Sequence, residues 1–120
     1  MSLKDQYCVE TGLARLPIQD AINVIGGQWK LAILATLAAE GPSGFGALRR
    51  AIGPVTAKTI AKELRELSEH QLVSRQELGD SLSRVEYHLT DYAQTLLPVI
   101  QALHIWGERH RERIMRIGKW

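Results

Sequence analysis

A Gly53-Pro54 pair separates two short helical patterns, and it forces the chain through a tight turn between them. Before the turn, Phe45 to Ile52 places Phe45, Leu48 and Ile52 on one side, with Arg49-Arg50 at the C-terminal end, where the helix dipole favours cations. After it, Thr56 is a predicted N-cap, and Ile60, Leu64 and Leu67 with Ala57 and Ala61 form one predicted apolar face. Lys58, Lys62 and Arg65 fall within about 60° of one another on the opposite face, taking about 100° per residue. Two short helices meeting at such a turn, the second with a basic outer stripe, make a helix-turn-helix.

The flanking sequence supplies a body for this motif. Pro17 ahead of IQDAINVI predicts the start of a first helix, with Ile18, Ala21, Ile22 and Ile25 at helical spacing until Gly26-Gly27 stops it. Trp29 to Ala39 is apolar on nearly all sides, as expected of a buried central helix. Leu72 to Leu78 and Arg84 to Thr90 alternate with period two around the turn-rich Gly79 to Ser83, which predicts a β-hairpin. In it Val85, Tyr87 and Leu89 face the helices, while Arg84, Glu86 and His88 face water. From Asp91 to about Ile117 one long helix is expected, striped by Leu96, Val99, Ile100, Leu103, Trp106, His110, Ile114 and Ile117. At roughly 40 Å it would overhang a core of three short helices, so its apolar side is expected to meet a second copy of the chain. With 120 residues, 45% of them hydrophobic, the chain suits one domain over residues 1–120, with 1–16 a loose N-terminal segment and 91–117 the dimerisation helix.

The placement of the lysines bears on function. At a helix N-terminus they cost a few tenths of a kcal/mol, about the scale of a surface dipole interaction, unless that end points into a phosphate-walled groove. Thr56, Lys58, Thr59, Lys62 and Arg65 are therefore candidates to face the major groove of double-stranded DNA, and Arg84 to reach the backbone or minor groove from the wing. The competing reading is a solvated helix face, because Glu63, Glu66 and Glu69 bring the segment's net charge to zero. Those acids gather toward the C-terminal half, which in a docked helix leans away from phosphates. Net charge is only +2, so the position of the charges carries the argument, not their sum.

Other chemistries find little support. His70, His88, His104 and His110 show no metal-ligand spacing with Cys8 or the carboxylates, Gly26-Gly27 has no strand before it, and there is no nucleophile elbow. No catalytic residue, cofactor or metal is expected. No apolar run approaches the roughly 20 residues of a membrane span, and a lone cysteine cannot build a disulfide framework, which points to the cytoplasm.

The runs AINVIGGQWKLAILATL, GFGALRRAI, LRELSEHQLVSR and RVEYHLT resemble the HxlR-type winged-helix transcription regulators, near the MarR group. The likeness covers roughly Leu16 to Trp106, and the pairing of GGxWK with VEYxLT is its most specific part. The resemblance implies a mainly α winged helix-turn-helix homodimer, joined through its N-terminal and C-terminal helices, that binds a pseudopalindromic operator and represses transcription. Ile18, Ile22, Leu96, Val99, Ile100, Leu103, Trp106 and His110 are the interface candidates. A winged-helix module that binds another protein instead of DNA is the alternative. An apolar effector between the long helices is a fold-level analogy, and no residue identifies one.

Several positions depart from the family pattern. Leu16 stands where the family usually has the cysteine of a Cys-Pro pair, and in some relatives that cysteine senses oxidants or electrophiles. Cys8 is then the candidate redox sensor, or else an incidental thiol. Gln28 and Gly44 replace usually basic residues, and Ala93 a usual glycine. His70-Gln71 replaces a common Asp-Gly, so a left-handed bend is expected there without glycine.

Overall fold

The computed structural model describes residues 12–79 and 84–118. Its elements are α1 (Gly12–Ile25), α2 (Lys30–Glu40), β1 (Ser43–Gly44), α3 (Phe45–Ile52), α4 (Ala57–Glu69), β2 (Val73–Glu77), β3 (Val85–Leu89), α5 (Asp91–Gln94) and α6 (Leu97–Arg116). The core lies where α2, α3 and α4 meet: Ile33, Leu34, Leu48, Ile60, Leu64 and Leu67 are each at most 1% exposed. Each such side chain contributes about 2 kcal/mol by leaving water. Val55, Leu72, Val73 and Ala93 close the core where the turns and the sheet meet the helices.

The sheet has three antiparallel strands in the order β1-β3-β2, not the two of a free hairpin. Ser43 pairs with Tyr87 and Gly44 with Glu86, while β2 runs from Val73 opposite Leu89 to Glu77 opposite Val85. β1 is only two residues long and has no periodicity for a sequence to reveal. With a neighbour on each side, β3 is half-buried throughout, so Glu86 and His88 do not lie on a wet face as expected. His88 Nε2 sits 2.9 Å from Glu86 Oε1, off the line of a hydrogen bond.

Two helix boundaries also differ from expectation. α1 begins at Gly12 with Pro17 inside it, so residues 12–16 are helical and not loose. Ala14, Arg15 and Leu16 are strong helix formers that extend the helix past the one backbone bond Pro17 removes. The C-terminal helix is broken: α5 ends at Gln94 and α6 starts at Leu97, with Pro98 in its first turn. Pro98 cannot donate to the carbonyl four residues back, so the expected helix over 91–117 becomes one turn plus a helix over 97–116.

Gln71 has φ 62°, the left-handed bend expected at His70-Gln71. Its carbonyl accepts a 2.6 Å bond from the Thr90 hydroxyl, whose oxygen also accepts from the Ala93 amide at 3.1 Å to cap α5. One threonine thus fastens the base of the wing to the end of α4 and the start of α5.

Candidate nucleic-acid interface

The helix-turn-helix is built from local bonds. Gly53 has φ 111°, a conformation L side chains rarely adopt, and its carbonyl accepts from the Val55 amide at 2.8 Å. Arg49 Nε donates to the Val55 carbonyl at 2.9 Å, which ties the last turn of α3 to the entry of α4. The Thr56 hydroxyl oxygen then accepts from the Thr59 amide at 3.1 Å, capping α4 as expected, and Thr56 donates to the Thr59 hydroxyl at 2.9 Å.

α4 turns two different sides outward and inward. Thr56, Lys58, Lys62 and Arg65 are exposed and Thr59 is half-buried beside its cap partner. Neither Lys58 nor Lys62 forms an ion pair among the described residues, and Arg65 lies 3.8 Å from Glu69 in a solvent-exposed pair. Ala57 and Ala61, expected on the core face, are exposed instead. Glu63 takes the inner side between Ile60 and Leu64, where it is 9% exposed.

The inward acids meet Lys30, the first residue of α2. Lys30 Nζ donates to Glu63 Oε2 and to Glu66 Oε1, both at 2.7 Å, with its side chain only 10% exposed. Burial pushes the Lys30 ammonium down, but the bonds to Glu63 and Glu66 and their charges outweigh it and hold the group above its usual 10.5. The Lys30 bond in turn holds the Glu66 carboxyl below its usual 4.5, helped by the charges of Lys30, Lys62 and Arg65. The zero net charge of the segment therefore does not describe the helix in place, because Glu63 is turned under and Lys30 adds a positive charge that offsets one of the two acids it binds. Lys30 was missed in the sequence, where one charge opening the apolar run LAILATLAA was the available signal.

Arg84, exposed, sits at the entry to β3, where its carbonyl accepts from the Leu78 amide at 2.9 Å. The geometry brings together the five α4 candidates on one helix and places Arg84 separately on the wing. On α1 and α6, Ile18, Ile22, Val99, Leu103 and Trp106 are exposed, and Trp106 stacks on His110 with ring centroids 4.9 Å apart. Leu96 and Ile100 differ from the other interface candidates, since both are half-buried against the chain's own core. Cys8 lies outside the described residues. Among those residues no group of three or more His, Cys, Asp or Glu is placed to hold a metal ion, and no single helix is long and apolar enough to cross a membrane.

Comparison with known proteins agrees with this architecture. The family model for the HxlR-like helix-turn-helix matches residues 24–115. An uncharacterized HTH-type transcriptional regulator, BH0655 of Halalkalibacterium halodurans, is 41% identical over 95 residues, covering 79% of this chain and 84% of its own. YdzF of Bacillus subtilis, likewise an HTH-type transcriptional regulator, is 35% identical over 91 residues, 76% of this chain and 84% of its own. Among solved structures, the redox regulator HypR in its reduced form superposes with a TM-score of 0.77 at 30% identity, over 83% of this chain and 98% of that one. The chain belongs to the HxlR-like helix-turn-helix family of DNA-binding transcription regulators.

Proposed function

We propose that this chain is a homodimeric cytoplasmic repressor, one winged-helix domain per protomer, that lays α4 of each protomer into successive major grooves of a pseudopalindromic operator with half-sites about 34 to 36 Å apart. Thr56, Lys58, Thr59, Lys62 and Arg65 face the groove, and Arg84 meets the backbone or minor groove. The observation that carries this reading is the division of charge on α4: exposed lysines outside, Glu63 inside, and Glu66 drawn beside it onto Lys30. A helix that is merely solvated has no reason to bury Glu63 and tie Glu66 to a lysine of another helix while its own lysines stay open. The exposed apolar residues of α1 and α6, Ile18, Ile22, Val99, Leu103 and Trp106, support the dimer. HypR is named a redox regulator; in this chain, with Leu16 at the usual cysteine position, Cys8 is the only thiol through which such control could act.

Fluorescence anisotropy on the upstream DNA of the chain's own gene and on a scrambled duplex tests the reading. With six or more phosphate contacts, affinity falls by about 10³ or more between about 50 and 200 mM salt, and the upstream duplex holds longest. No binding at the lowest salt would refute it and favour a protein partner.

A further inference from the structure

The ion cluster under α4 does something the core does not require. Its partners lie 33 and 36 residues apart in sequence, so it is a tertiary contact between α2 and α4. Hydrophobic groups of similar volume would fill the same space as well or better, since the desolvation cost of a buried ion pair commonly cancels its attraction. What Lys30 changes is the charge of α4. Without it, Glu63 and Glu66 stand one turn apart on the helix that carries Lys58, Lys62 and Arg65, and their field opposes approach to phosphates.

We propose that Lys30 is a positioning residue for DNA binding: from beneath the recognition helix it offsets one of the two charges of Glu63 and Glu66, so that a segment whose own charges sum to zero meets the phosphates with a net positive charge, while Lys30 itself touches no DNA. This rests on the reading of α4 as the recognition helix. The cluster sits between α2 and α4, and the other charged groups near it are Lys62 and Arg65 on α4 itself. The field of the two carboxylates reaches the groove because Glu66 is 30% exposed and opens toward solvent.

The test uses the full-length protein and a mixed-sequence duplex of about 30 base pairs at about 50 mM salt, where non-specific binding is measurable. Lys30→Gln should fold, as judged by circular dichroism, and bind roughly tenfold more weakly. That deficit should narrow as salt rises toward about 200 mM, because ions screen a field carried through solvent, whereas Lys58→Ala loses a phosphate contact and lowers the slope of log affinity against log salt by about one. The triple variant Lys30→Met, Glu63→Gln, Glu66→Gln should bind at least as tightly as the parent, since Lys58, Lys62 and Arg65 then share the segment with Glu69 alone. A purely structural lysine would leave a deficit that salt does not narrow. A folded Lys30→Gln with parental affinity overturns the proposal, and so does a folded triple variant that still binds tenfold weaker. If Lys30→Gln does not fold, Glu66→Gln decides, since it removes the more exposed carboxylate while Lys30 still pairs with Glu63: tighter binding than the parent at about 50 mM salt supports the proposal, and parental affinity overturns it. Should Lys58→Ala and Lys62→Ala leave binding untouched, the recognition-face reading falls, whatever Lys30 does.

Discussion

Trp106→Ala is the sharpest test of the dimer. A tryptophan side chain presents about 200 Å² to solvent, so the 64% of Trp106 left open is about 130 Å². At about 25 cal/mol per Å², complete cover by a partner is worth about 3 kcal/mol and half cover about 1.5 kcal/mol. Two-fold symmetry enters the residue twice, so truncation at half cover weakens the dimer by about 3 kcal/mol, roughly 150-fold in the dissociation constant. The stack on His110 exists within one helix and is lost in monomer and dimer alike, so it cancels. Alanine is the better helix former, and α6 should persist. Sedimentation velocity over a dilution series reads the change directly. If parent and variant dissociate over the same concentration range, Trp106 is not in the interface and the assignment of this face to a second copy is refuted.

Lys58→Ala and Lys62→Ala should each weaken DNA binding and reduce the salt slope by about one, with unchanged helicity because both side chains are exposed; a fall in helical content by circular dichroism would contradict their placement. Gly53→Ala should destabilise the domain by on the order of 1 to 2 kcal/mol in urea titration, since the glycine holds φ 111° with open space around the missing Cβ, so the cost is backbone strain alone. The folded Glu66 carboxyl titrates below 4.5, so its contribution to stability is complete above pH 4.5 and is lost as pH falls through the lower folded value. Glu66→Gln should therefore flatten the acid limb of the urea midpoint against pH, and an identical limb would deny the coupling to Lys30. For Lys30, raised above 10.5, the contribution is complete below that pH and is lost as pH rises through the folded value.

The parts of this protein that obey local rules were legible in its sequence. α3 runs over the predicted Phe45 to Ile52, Thr56 caps α4 through its own hydroxyl, and Gln71 bends left-handed, because turn chemistry, capping and period act within a few residues. Pro98 was a local signal too, and it breaks the last helix as its missing amide dictates; the apolar stripe running through it had concealed the break. The candidate DNA residues Lys58, Lys62 and Arg65 fell on an exposed face for the same reason of period.

Only the tertiary structure decided what those local pieces face. Ser43-Gly44 becomes a strand because β3 lies alongside it, and that neighbour makes Glu86 and His88 half-buried. Ala57 and Ala61 are left in water although Ile60, Leu64 and Leu67 of the same helix are buried, an edge of the core that no helical wheel reports. Leu96 and Ile100 turn to their own core although they share a stripe with Trp106. Above all, the charge of α4 depended on a lysine in another helix: period sets Glu63, three residues after Ile60 and four before Leu67, at the edge of the core face, and only packing brings Lys30 to 2.7 Å from both Glu63 and Glu66. Sequence determined where the helices and turns are, since those energies are short-ranged; the sign of the face presented to solvent was left to contacts more than thirty residues apart.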